Sequence, residues 1–288
     1  MALQYEGTAS APCDDRPVID QPEINLGSTI GTQPGPPASA PAGRIFWALV
    51  GLYILATLLG SAAMLALQPV SGIDPAALAL VQFGPALGAL VTWFVGRRIV
   101  GPLLPAPVPA GQVRANLGYV LMACLLCGLS VAGATAFAGH ELVGPAAVGG
   151  LPFVAFFAIQ LVGATGEEIG WRGFLQPLLE TRVRRFAAIA VTGATWALWH
   201  VQAFGAGPVV ALSFFVSAMA FAVLLGSLGT GSCRQRIAVA AVGHWLINVG
   251  IYLTAGDETL GSPQVVFIAG GAVVATAATL AVRSWRAR

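Results

Sequence analysis

Lysine is absent from this 288-residue chain, and Asp, Glu, Lys and Arg together make only 9% of it. A soluble domain carries about 25% charged residues. A water-soluble globular fold is therefore excluded, and the 57% hydrophobic content and mean hydropathy of +0.80 read as an integral membrane protein. The 14 basic residues, all arginine, are spread over several loops without aromatic interleaving, so the net charge of +2 implies no nucleic-acid partner. Cysteine is limited to Cys13, Cys124, Cys127 and Cys233, which indicates no disulfide framework. The C-x-x-C of Cys124 and Cys127 lies in an apolar span (LMACLLCGL) with no second pair or nearby histidine, so both read as small packing residues. No basic stretch followed by a short apolar core opens the chain, so no cleaved signal peptide is expected and the first apolar span is read as a retained helix.

Catalytic signatures are missing too. His140-Glu141 is followed by Leu-Val-Gly, so no H-E-x-x-H zinc motif is present. Gly128-Leu129-Ser130-Val131-Ala132 lacks the second glycine of a G-x-S-x-G nucleophile turn. No pair of membrane aspartates exists.

Long apolar runs are abundant. Residues 1–43, rich in Pro, Gly, Ser, Thr and Asp, cannot bury enough surface to fold and are expected to form a disordered cytoplasmic tail. Residues 44–288 form the expected transmembrane bundle. About 20 apolar residues cross a bilayer core, which places helices near 45–67, 76–96, 117–139, 151–180, 186–204, 208–230, 237–254 and 264–282. The fold class is thus all-α, a polytopic membrane helix bundle of about eight transmembrane helices. Pro85 and Pro177 are expected to kink the second and fourth helices. Gly166 and Gly170 form a small-xxx-small pair flanking two glutamates.

Arginine placement tests this arrangement. Arg44, Arg97, Arg98, Arg114, Arg182, Arg184, Arg185, Arg234, Arg236, Arg283, Arg286 and Arg288 all fall on one side of an eight-crossing chain. The opposite loops hold Asp74, His140, Glu141, Asp257 and Glu258 and no arginine. The positive-inside rule then puts both termini in the cytoplasm.

Against this background, Glu167, Glu168 and Arg172 are expensive. A charged side chain near a bilayer centre costs roughly 2.5–3.5 kcal/mol on insertion scales, and these three lie within one of the most apolar stretches. Their spans otherwise hold few ionisable groups: His200, His244 and, at a helix end, Glu180. Glu168 and Arg172 are four apart, share a helix face and can pair. Glu167 points about 100° away. His244 and Asn248 also share a face. Glu167 and His200 both lie roughly 22 Å from the turn that joins their helices, at 1.5 Å per residue, so an antiparallel hairpin brings them level. His244 lies only roughly 12 Å from Arg236 by the same rise. That mismatch closes only if its helix starts deeper or the hairpin projects into the cytosol.

The ordered patterns E-E-x-x-x-R (Glu167–Arg172), aromatic-x-x-x-His (Trp196–His200) and H-x-x-x-N (His244–Asn248) resemble the CAAX-protease and bacteriocin-processing family. Its members are intramembrane endopeptidases related to the Ras-converting CAAX prenyl protease. The resemblance covers a protease-like core of residues 150–255. Trp196 departs from the family's usual Phe, at a position read as aromatic packing. The resemblance implies hydrolysis of peptide bonds in membrane-associated proteins or peptides, at a site reached from the cytosol. By analogy, Glu167 is the general base that activates water, and Glu168 and Arg172 hold the motif in shape. His200 helps bind the water or a metal, and His244 and Asn248 stabilise the oxyanion. A carboxylate stripped of water is a stronger base than an exposed one, which suits such work near neutral pH. Preorganised donors are usually the largest catalytic contribution.

Glu167, His200 and His244 could also make a three-ligand divalent metal site, zinc being the expected ion; a metal-free, glutamate-activated water is the other reading. A bacterial source would place the chain in the plasma membrane and make prenylated substrates unexpected. Two further readings stand: a proton- or ion-coupled transporter using the same buried residues as a relay, and an inactive scaffold or immunity factor. The transporter reading predicts ion or solute flux in liposomes that depends on Glu167. A silent flux assay removes it.

Overall fold

The computed structural model describes residues 43–256, 260 and 264–286, all within the unit Ala38–Arg288. The expected tail thus lies outside the described residues except for Gly43, as do Asp257, Glu258 and Arg288. Among the described residues the structure is helical, with no strand. Its helices are α1 (Gly43–Leu67), α2 (Gly84–Val100), α3 (Ala110–Phe137), α4 (Phe153–Gly170), α5 (Gln176–Glu180), α6 (Arg185–Trp199), α7 (Val201–Gly205), α8 (Pro208–Leu228), α9 (Cys233–Ala255) and α10 (Gln264–Arg286). In hydrocarbon every backbone polar group must be satisfied within its own segment, which is why apolar runs of this length become helices.

Six segments are long and apolar enough to cross a membrane: Gly43–Val70, Ala110–Phe137, Phe153–Glu180, Pro208–Leu228, Cys233–Ala255 and Gln264–Arg286. The other two expected spans form the shorter α2, with 17 residues, and α6, with 15. The second span does not run 76–96 as one helix. A 3-10 turn over Leu80–Phe83 precedes α2, and Pro85 sits in the first turn of α2 rather than kinking its interior. At that position its missing N–H interrupts no helical hydrogen bond. The fifth span is not continuous over 186–204 either, because α6 stops at Trp199 and His200 (φ −83°, ψ 62°) separates it from α7.

Apolar residues cover most helix faces, so small residues decide which faces meet. Gly84 and Gly88 of α2 lie directly against Ser61 and Thr57 of α1, leaving no room for a Cβ. Gly163, Gly166 and Gly170 form a ledge on α4, with Gln82, Phe83 and Pro85 seated on it in turn. The glycine pair around the two glutamates therefore brings the start of α2 against the charged motif. α4 also packs along α9, and α6 along α8.

Between α4 and α5 the chain makes a π turn over Trp171–Leu175, and Pro177 opens the short α5 after it. π turns inside helices are frequent at functional sites. α9 meets this segment at two levels. Arg236 is a buried residue one turn into α9 rather than a loop arginine, and its Nη2 donates to Glu180 Oε2 at 2.7 Å. His244 meanwhile reaches Glu168. The path from Glu168 to Glu180 is about one turn longer in sequence than that from Arg236 to His244, and it includes the π turn and the Pro177 junction. A capping box formed by Ser232 and Gln235 fixes the start of α9.

The α4 ledge gives a direct test. Gly170→Ala drives a methyl into Pro85, whereas Gly128→Ala meets open space. The first is expected to destabilise the protein by about 1–3 kcal/mol and the second not at all, measured by thermal unfolding in detergent.

Candidate active site

Glu167 and Glu168 are adjacent in α4, 2% and 0% exposed, and the structure gives them different partners. Glu168 Oε1 accepts from Arg172 Nη1 at 2.7 Å and faces His244 Nδ1 at 2.9 Å. The expected Glu168–Arg172 pair is therefore present, and His244 joins it from α9. The Arg172 guanidinium also lies over the Trp196 ring, 4.6 Å from its centroid. Glu168 Oε2 and Arg172 Nη2 are buried without a hydrogen-bond partner among the described residues.

Glu167 is held by neutral donors instead. Its Oε1 accepts from Gln82 Nε2 at 3.2 Å and its Oε2 from Trp196 Nε1 at 2.7 Å. The Trp196 indole is the hub of the site, with its ring 5.8 Å from the His200 ring and 5.3 Å from that of His244, edge-on to both. Reading Trp196 as aromatic packing alone is corrected by this hydrogen bond.

His200 Nδ1 lies 2.8 Å from the Trp196 carbonyl oxygen. A carbonyl only accepts, so Nδ1 carries the proton and Nε2 of the neutral ring is a free acceptor. The break after Trp199 lets this contact form within one turn. His244 Nδ1–H likewise donates to the Glu168 carboxylate. Neither Nε2 has a hydrogen-bond partner among the described residues. Asn248 is linked to Gln160, with Nδ2 to Oε1 at 3.4 Å, and Gln160 in turn donates to the Ala77 carbonyl at 2.9 Å.

A cavity of about 380 Å³ opens beside these groups. His200, His244, Asn248, Gln160 and Trp196 line it, with Phe156, Phe214, Phe221, Ile247 and Ile268 supplying much of its apolar wall. Glu167 and Glu168 are not on that wall. Glu167 sits one side chain behind it, bonded to the Trp196 indole. All six residues expected from the sequence thus fall into one region, on two tiers: Glu167, Glu168 and Arg172 within the protein, and His200, His244 and Asn248 on the cavity wall.

Among the described residues no group of three or more His, Cys, Asp or Glu side chains is arranged to hold a metal ion. Gln82 and Trp196 each occupy one acceptor site on Glu167 and leave one more on each oxygen. Cys124 and Cys127 pack in α3 as free thiols, and Cys124 Sγ donates to the Gly243 carbonyl at 3.7 Å.

Sequence reasoning missed Gln82 and Gln160. Each is an uncharged polar residue in an apolar span, a signal that a search restricted to ionisable groups passes over.

Fold and site together define a class: a multi-pass helical membrane protein with paired glutamates and two histidines gathered inside the bundle. Residues 149–250 match the family model described as Type II CAAX prenyl endopeptidase Rce1-like. The chain is also 29% identical over 138 residues to a protein of Methanococcus maripaludis named CAAX prenyl protease 2, covering 42% of this chain. It spans about half the length of that curated relative, 49%. Both matches are to CAAX prenyl endopeptidases, and the segment matched by the family model holds every residue of the three motifs.

Because Glu168 and Arg172 are both fully buried, breaking the pair leaves an uncompensated charge. Arg172→Met is expected to lower stability by about 3–5 kcal/mol. The double variant Glu168→Gln/Arg172→Met should recover part of that loss, measured by reversible unfolding in mixed micelles.

Proposed function

We propose that the chain is an intramembrane endopeptidase that hydrolyses peptide bonds of membrane-associated proteins or peptides, with Glu167 as general base. The observation that carries this reading is the division of labour between the glutamates. Glu168 is neutralised by Arg172 and engaged by His244, whereas Glu167 has only neutral hydrogen-bond donors. The family match points the same way. In a bacterial source the location would be the plasma membrane, with termini and arginine-rich loops in the cytoplasm.

A carboxylate offers about four lone-pair sites, so Gln82 and Trp196 leave each Glu167 oxygen one more. In the proposed cycle a water enters from the cavity and gives a proton to Glu167, while His200 Nε2 accepts its other hydrogen and fixes its orientation. The hydroxide adds to the scissile carbonyl carbon, and negative charge moves to the carbonyl oxygen. Asn248 Nδ2–H faces the cavity, where it can donate to that oxygen, and His244 Nε2 can do so once the ring gains a second proton. The tetrahedral intermediate then collapses. Its C–N bond breaks, and Glu167 returns the proton to the leaving nitrogen. No step is assigned to a metal. The apolar cavity wall carries no charged side chain other than what its histidines acquire, which favours an uncharged stretch of substrate.

Removing a general base slows such reactions by about 10²–10⁴-fold. Glu167→Ala and His200→Ala are therefore expected to abolish cleavage while the protein still inserts and folds. Proteomic comparison of membranes carrying wild-type or Glu167→Ala protein should reveal an accumulated uncut precursor. Undiminished cleavage of that precursor by purified Glu167→Ala protein overturns the proposal.

A further inference from the structure

The cavity has a direction. Its deep end is formed by Trp196, His244, Phe221 and Ala218, which are 3–5% exposed. At its other end lie Ala76 and Gln202, both exposed, with Gly256 and Leu260 half-buried. These four belong to the connections between α1 and α2, α6 and α8, and α9 and α10, none of which carries an arginine. Apart from Arg172, the arginines among the described residues gather at the opposite ends of the helices. None of the residues lining this cavity lies there. That end is also tied shut. Arg185 Nη2 donates to the Gly226 and Gly229 carbonyls at 2.6 and 2.8 Å, and Arg283 Nη1 to that of Ser227 at 2.8 Å. Arg236 pairs with Glu180, and Leu178, Leu179, Leu225 and Leu228 are buried at the same end.

Helix length supplies the reason. α6 has 15 residues and rises roughly 22 Å, against a hydrocarbon core about 30 Å thick. It starts at Arg185, which fastens it to the arginine-bearing end, so the shortfall falls at His200. There the chain breaks into the five-residue α7. The hollow left above it is occupied by the cavity, with His200 and Gln202 on the wall.

We propose that the site takes its substrate from the non-cytoplasmic side of the membrane, as an uncharged segment of a polypeptide already exposed on that side. This rests on the protease reading and deepens it. It departs from the cytosolic entry that the family resemblance implies. The positive-inside rule keeps the arginine-bearing loops in the cytoplasm, so the arginine-free mouth faces the other way. Entry through the arginine-bearing end would have to break the contacts of Arg185, Arg236 and Arg283, which hold α5, α6, α8, α9 and α10 together.

The test needs no substrate. Single cysteines are placed in the full chain after its four native cysteines are replaced by serine or alanine. The probe is a charged, membrane-impermeant methanethiosulfonate, applied to sealed right-side-out and inverted vesicles. Ala76→Cys and Gln202→Cys at the mouth, and Ser217→Cys on the cavity wall, should be labelled in right-side-out vesicles and not in inverted ones. Arg184→Cys, exposed at the other end, should give the reverse. Phe214→Cys, also on the cavity wall, takes the place of Ser217→Cys if that variant loses its thermal transition. Cavity positions labelled from the Arg184 side, or from neither side, overturn the proposal, as do mouth positions labelled only in inverted vesicles. If labelling runs as expected but Glu167→Ala membranes hold no uncut precursor, the side of access stands and the protease reading fails. Where a precursor is cut, labelling Ser217→Cys from the mouth side should abolish its cleavage. Undiminished cleavage after that labelling overturns entry by this route.

Discussion

Two adjacent carboxylates buried in a low-dielectric bundle cannot share one environment, and the site is built around keeping them apart. Successive residues of a helix point about 100° apart, which gives Glu167 and Glu168 separate surroundings. Glu168 turns to Arg172 and His244, at 2.7 and 2.9 Å. Glu167 turns to Gln82 and Trp196. A buried charge survives only when paired or well hydrogen-bonded, so each of these four partners is a condition on where another segment must lie.

That condition explains features that otherwise look unrelated. The glycine ledge on α4 lets the turn carrying Gln82 approach closely. The π turn sets Arg172 inside the protein, where it can meet Glu168 and lie over Trp196. The break after Trp199 folds the His200 ring onto the Trp196 carbonyl. At the far end of the same segment Glu180 binds Arg236, so α9 is held at two levels, by a hydrogen bond at Glu168 and an ion pair at Glu180. The outcome is a charged layer covered by a wall of neutral and aromatic groups, with the cavity beyond it. The Trp196 indole and the His244 ring belong to both.

Much of this was legible in the chain. Apolar run lengths place every long helix, because lipid leaves a backbone no other way to satisfy its polar groups. The ionisable residues inside those runs pick out the site, since so few other reasons keep a charge there. Four-residue spacing identifies the Glu168–Arg172 pair. Reading by charge had a blind side, however. Gln82 and Gln160 are neutral, and in a linear pattern a tryptophan reads as bulk rather than as a donor. Proline was also misread at Pro85, where only the exact helix start separates a kink from a first-turn residue.

The sequence by itself determined the solvent, the helical class and the residues that must find partners, because burial costs are properties of each side chain and its apolar neighbourhood. Only the tertiary structure decided which partners they find. Gln82 and Glu167 are 85 positions apart, and His244 and Glu168 are 76, so no local periodicity connects them. Interhelical contact chose these pairs, set by where glycines allow close approach and by where a π turn shifts the register. It thereby separated the two glutamates into a neutralised partner and a carboxylate held ready.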